Sequence, residues 1–101
     1  MSNMKALLLL QTRIVYAENA FADLVLWQLP QPLVGSAHPF KYRLAFVGNG
    51  MCVLRYDNES GEGDHRHCGC AETAYAYTTP EALIADFQND IERWNHENRH
   101  S

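Results

Sequence analysis

Long hydrophobic runs are missing from this chain. The one near the start, Ala6 to Leu10, is broken at once by Gln11, Thr12 and Arg13, well short of the ~20 apolar residues that span a bilayer. No small-residue cleavage pattern follows it, so it is not read as a secretory leader and the expected location is the cytoplasm. Cysteine is scarce and odd in number, with Cys52, Cys68 and Cys70 only, which argues for free thiols rather than a disulfide framework. Cations are few as well: eight Lys and Arg against twelve Asp and Glu leave a formal charge of −4. That balance argues against broad, non-specific adhesion to nucleic acid, while it permits a local basic site. Internal repeats, linkers and low-complexity tracts are also lacking. The 101 residues are therefore read as one domain, 1–101, with frayed ends at about 1–4 and 96–101.

What is present points to an α+β fold: a small antiparallel β-sheet built from two N-terminal hairpins and packed by one C-terminal α-helix. Leu7 to Tyr16 and Phe21 to Leu29 are rich in Leu, Ile, Val and aromatics, and Ala17-Glu18-Asn19-Ala20 suits a hairpin connection between them. A helix over Leu7 to Gln11 stays open as an alternative. Pro30, Pro32, Gly35 and Pro39 break regular pairing and mark a loop. Lys41 to Val47 and Met51 to Asp57 flank Gly48-Asn49-Gly50, and Asn-Gly accepts the positive φ angles of a tight hairpin turn. Asn58 to Cys70 is polar and carries Gly61, Gly63 and Gly69, so it is assigned to a long loop with a short extended piece. Ala74 to Thr78 is a candidate further strand. Thr79 then stands as an N-cap, Pro80 at the first helical position and Glu81 in the first turn. Leu83, Phe87, Ile91 and Trp94 share one helical face, which should cover the sheet. His96, Arg99 and His100 fall in the expected frayed tail.

The densest reactive stretch is Arg55-Tyr56-Asp57-Asn58 followed by Asp64-His65-Arg66-His67. In an extended segment His65 and His67 point to the same side, roughly 6–7 Å apart, with Arg66 facing the other way. Two imidazoles so spaced suit cleavage of an RNA phosphodiester, one taking the 2′-hydroxyl proton and the other protonating the leaving 5′-oxygen. The candidate catalytic residues are thus His65, His67 and Asp64. Arg55, Arg66, Lys41, Arg43 and Tyr56 are the candidate contacts for phosphate and RNA. Asp57 or Asp64 would orient an imidazole.

Blander readings stand beside these. A solvated loop collects Asp, His and Arg without function, and Arg55 could be a surface strand residue paired with an acid. Zinc would accept His65, His67, Cys68 and Cys70, but four ligands within six residues are too crowded for a usual structural site. No metal and no cofactor is expected. Tyr42, Tyr56, Tyr75, Tyr77 and Trp27 could stack RNA bases or simply pack the sheet. His38, in the irregular loop between Pro30 and Pro39, could approach the site from another segment but reads first as a solvent-facing loop residue.

In the order Ile14-Val15-Tyr16, Val25-Leu26-Trp27-Gln28-Leu29-Pro30, His38-Pro39-Phe40-Lys41-Tyr42-Arg43-Leu44-Ala45, Leu54-Arg55-Tyr56-Asp57-Asn58-Glu59 and Gly63-Asp64-His65-Arg66-His67, the chain resembles the TumE family of bacterial toxins. Leu83-Ile84-Ala85-Asp86-Phe87 and Asp90-Ile91-Glu92-Arg93-Trp94 extend the likeness. The resemblance implies the toxin of a type II toxin-antitoxin pair, a cognate antitoxin of helix-turn-helix type, and a target in RNA or translation. Cys68 and Cys70 depart from that family's pattern. Two functions follow as expectations: a metal-independent ribonuclease, or a non-catalytic module whose polar loop engages the antitoxin or a host protein. No membrane is expected as a partner, and an exposed strand edge leaves a homodimer open.

Overall fold

The computed structural model describes residues 5–98. Six strands, β1 (Leu7–Ala17), β2 (Ala20–Gln28), β3 (Phe40–Gly48), β4 (Met51–Glu59), β5 (Gly63–Cys68) and β6 (Ala71–Ala74), precede one helix, α1 (Pro80–Asn98). The strands form a single sheet in sequence order, each antiparallel to the next. This is the expected α+β architecture, an antiparallel sheet with a C-terminal helix, and both N-terminal hairpins are present.

Local chemistry accounts for the turns. Asn49 and Gly50 both take positive φ, 55° and 78°, the geometry that matches the right-handed twist of the flanking strands. The Asn49 N–H donates to the Asn19 carbonyl at 2.8 Å, and their side chains are also hydrogen-bonded, so the β1–β2 and β3–β4 turns brace each other. At the helix start Thr79 Oγ1 accepts the Ala82 N–H at 3.1 Å, satisfying one of the orphan donors of the first turn.

α1 lies on one face of the sheet against β3 and β4. Leu83, Phe87 and Ile91 enter a core made by Ala22, Leu24 and Leu26 of β2, Tyr42, Leu44 and Phe46 of β3, and Leu54 and Tyr56 of β4. Trp94 packs at the rim of this core, edge-on to Phe46 with ring centroids 5.3 Å apart. Gly48 permits that contact, since a Cβ there would stand 2.8 Å from the indole. Among the described residues the opposite face carries no helix. β1, an outer strand, exposes Leu7, Leu8, Leu9 and Val15.

Three expectations are corrected. The segment Asn58–Cys70 is not a long loop but the end of β4, a tight turn and the whole of β5. Its glycines are turn residues, Gly61 and Gly63 at φ 83° and 80° closing β4–β5 and Gly69 at 62° opening β5–β6. The added strand is Ala71–Ala74 rather than Ala74–Thr78, because the Gly69 turn starts pairing immediately. The helix runs through His96 to Asn98 instead of fraying from about residue 96, and the Asn98 side chain donates to the Trp94 carbonyl. Residues 1–4, Arg99, His100 and Ser101, also expected to fray, lie outside the described residues.

Candidate functional site

Strand alternation sorts the reactive residues onto two faces. Register places His67 opposite Arg55 and Glu72, and His65 opposite Asp57 and Ala74. These side chains lie on the helix-free face, together with Arg43, which is opposite Asp57, and Lys41 two residues before it. Asp64, Arg66 and Tyr56 point the other way, toward α1 and the irregular segment 29–39.

On the helix-free face the two imidazoles converge on one carboxylate. His65 Nδ1 is 3.3 Å and His67 Nε2 3.6 Å from the same Oε2 of Glu72. His65 Nε2 is 2.7 Å from the Glu62 carbonyl, which assigns that nitrogen as an N–H donor. Its Nδ1 is buried and has no hydrogen-bond partner. His67 Nε2 lies 3.1 Å from Arg55 Nη2, so there the ring nitrogen accepts from the guanidinium. Arg55 Nε is 3.1 Å from Asp57 Oδ2, an ion pair too bent to be a hydrogen bond, and this N–H is likewise unpartnered. The side chains of His65, His67 and Arg55 are a quarter to a third exposed.

The two histidines are therefore chemically different. His65 turns both ring nitrogens toward acceptors, the arrangement of a proton donor. His67 offers a lone pair to a cation, the arrangement of a proton acceptor. Arg55 supplies fixed positive charge within the same few ångströms. Asp57 holds Arg55, with His67 Nε2 at 3.9 Å from its second oxygen, so it orients the guanidinium rather than an imidazole.

Asp64 and Arg66 do other work. Asp64 Oδ2 accepts the Tyr42 hydroxyl at 2.6 Å and lies 2.9 Å from His38 Nε2. The other nitrogen of that ring, Nδ1, accepts the Phe40 N–H at 3.2 Å, and the ring stacks on Tyr77 with centroids 3.8 Å apart. His38 is thus not a solvent-facing loop residue; it is mostly buried, and Asp64 orients this imidazole instead of His65 or His67. Burial first, then the bond to Asp64, pushes the Tyr42 hydroxyl well above its ordinary pKa. Burial alone among local causes, helped by the fields of Asp64 and Glu81, raises Tyr77 to about 12.

Arg66 Nε binds Asp90 of α1 at 2.7 Å, and the Tyr56 hydroxyl donates to the same carboxylate oxygen. Tyr56 is 2% exposed and meets Phe87 edge-on, so it packs the core instead of offering a stacking surface. Tyr42, equally buried, does the same. Burial opposes the charge of Asp90, but the hydrogen bonds from Arg66 and Tyr56 outweigh it and hold the carboxyl below the usual range. A carboxyl depressed in the fold stabilises it above the unfolded pKa of about 3.9, and that contribution is lost as pH falls through the folded value. In Arg66→Met the carboxylate stays buried without its cation. The variant should be less stable than wild type by about 2 kcal/mol at pH 7, between the values for surface and buried pairs. Urea unfolding as a function of pH should show this deficit shrinking as pH falls below ~4 and closing only once it has passed through the depressed folded value of wild-type Asp90, where the carboxyl takes up a proton in both proteins.

Two site residues were not legible in the sequence. Glu72 reaches the histidines only because the Gly69 turn folds β6 back onto β5. His38 meets Asp64 across 26 residues of chain, for which no local signal exists.

Comparison with known proteins gives a family match. A family model described as toxin TumE is similar to this chain over residues 5–95, a span that contains every strand, the histidine pair, Arg55 and Glu72. No curated protein and no solved structure matches. Among the described residues no helix is long and apolar enough to cross a membrane.

Proposed function

Because the chain belongs to the TumE toxin family, we propose that it is the toxin of a type II toxin-antitoxin pair and acts as a metal-independent ribonuclease on the helix-free face of its sheet. The observation that carries this reading is the pair of half-buried imidazoles sharing Glu72, one set as donor and the other as acceptor, with Arg55 beside them. In the reaction His67 Nε2 takes the proton of the RNA 2′-hydroxyl, and the freed oxygen attacks the adjacent phosphorus. His65, protonated on both nitrogens, gives its Nδ1 proton to the departing 5′-oxygen once the exposed Glu72 side chain has swung off that nitrogen. The products are a 2′,3′-cyclic phosphate and a free 5′-hydroxyl. Arg55 stabilises the charge that grows on the non-bridging oxygens, and in the free protein Glu72 holds the His65 ring from the side of Nδ1.

The partner in this reading is a cognate helix-turn-helix antitoxin, and the action is in the cytoplasm. The test is induced expression of wild type and of a folded His65→Ala/His67→Ala variant, with total RNA followed over time, and purified protein incubated with RNA in excess chelator. The expected result is growth arrest with RNA decay, both lost in the variant, and cleavage that survives the chelator. Arrest with intact RNA, or arrest that persists in the variant, would instead favour a face that binds protein and cleaves nothing. Activity abolished by the chelator and restored by added metal would remove the two-histidine mechanism.

A further inference from the structure

The helix-free face extends well past the histidines. Across the strands the register lines up His65, Asp57, Arg43 and Val25, and the neighbouring row holds Lys41 opposite Trp27. The acids along this stretch are already held by other cations: Asp57 by Arg55, and Asp23 by Nε and Nη2 of Arg13. Arg43 is exposed and adds only a weaker field at Asp23. Neither Arg43 nor Lys41 is in an ion pair among the described residues, and Lys41 Nζ rests on the Asn58 carbonyl at 3.3 Å. Trp27 is half-buried and takes no part in the core, which β2 fills from its other face with Ala22, Leu24 and Leu26.

We propose that Trp27, Arg43 and Lys41 form a subsite for single-stranded RNA, an inference that rests on the histidine pair being the cleavage centre. Three strand spacings separate β2 from β5, about 14 Å at ~4.8 Å each, a gap that a few nucleotides bridge. Phosphates crossing it meet Arg43 and Lys41, and a base beyond them stacks on the indole. An indole set in a sheet face reaches only an unpaired base, because a duplex keeps its bases inside and its deep groove closed to side chains. The net charge of −4 supplies no general attraction for a polyanion, so affinity depends on these local groups.

The probe is a fluorescent ten-nucleotide RNA pool of randomised sequence, fully 2′-O-methylated so that no 2′-oxygen can attack, compared with a hairpin duplex of the same chemistry. The expected result is binding of the single strand in preference to the duplex. Trp27→Ala and Arg43→Ala should each weaken it about tenfold, while Trp27→Phe retains most of the affinity. In a Trp94→Phe background the single remaining tryptophan, Trp27, should be quenched on binding. Absence of binding, equal affinity for the duplex, or indifference to both alanine variants overturns the subsite. Cleavage of unmodified RNA is scored separately. Binding without cleavage would leave the subsite standing and remove the nuclease reading; cleavage indifferent to Trp27 and Arg43 would do the reverse.

Discussion

His65→Ala should slow cleavage of RNA by about 10²- to 10⁴-fold, the usual contribution of a positioned acid, yet leave nearly untouched the turnover of a uridine 3′-aryl phosphate. The reason lies in the leaving group. A 5′-alkoxide is too basic to depart without a proton, whereas a nitrophenolate leaves as the anion. His67→Ala should lose activity on both substrates, since the 2′-hydroxyl must be deprotonated in either case. The assignment rests on the hydrogen-bond pattern: His65 Nε2 is committed to the Glu62 carbonyl with Nδ1 facing Glu72, whereas His67 Nε2 faces Arg55. Rescue of His67→Ala in place of His65→Ala would exchange the two roles. Rescue of neither would mean that the histidines act on binding, and the rate on both substrates would then fall through KM with kcat preserved.

Glu72 tests the same geometry from outside the pair. It is the most exposed member of the group, with its side chain 51% accessible, and it touches both imidazoles while making no contact with Arg55 among the ion pairs described. Its carboxylate suits a proton on His65 Nδ1 and not the lone pair that His67 Nε2 turns to Arg55, so it holds one ring while the guanidinium holds the other. It is a positioning residue in the proposed reaction.

How far the sequence disclosed this arrangement depends on whether the relevant contact is local. The β3–β4 turn was legible because Asn49-Gly50 states its own φ angles, and the helix was legible because Leu83, Phe87 and Ile91 recur at helical spacing behind a Thr-Pro start. β5 was hidden because both of its faces are polar. One face is left without a helix, so His65 and His67 need not be apolar. The other would ordinarily be apolar, but Asp64 and Arg66 are satisfied there by His38, Tyr42 and Asp90, which arrive from distant parts of the chain. The alternation of His65 and His67 on one side and Arg66 on the other was legible, since it follows from extension alone. Tyr56 is buried because alternation also dictates that a residue between Arg55 and Asp57 faces the core.

The same logic of distant satisfaction makes Asn58 the residue whose loss should cost the fold most among those near the site. It is 1% exposed. Its Oδ1 accepts the Tyr42 N–H at 3.0 Å and its Nδ2 donates to the Phe40 carbonyl at 2.7 Å. The β3–β4 register begins only at Arg43 and Asp57, so this side-chain amide completes the sheet where backbone pairing has stopped. Asn58→Ala leaves both backbone groups without partners in a sheltered place, at about 1–3 kcal/mol each, and should lower stability by about 2–5 kcal/mol in urea titration. Asn58→Asp separates the two bonds. A carboxylate can still accept from Tyr42, but it faces the Phe40 carbonyl oxygen, and burial favours its protonated form. A carboxyl whose folded pKa is raised contributes stability that is complete below the unfolded value of about 3.9 and is lost as pH rises through that value toward the folded one. Relative to wild type at each pH, Asn58→Asp should therefore be close to native near pH 4 and clearly weakened at pH 7, while Asn58→Ala should show the same deficit at both. A flat difference for Asn58→Asp would mean that the amide is not buried against Phe40 in solution. The start of β3, and with it Lys41 on one face and the Tyr42–Asp64–His38 cluster on the other, would then be held by something else.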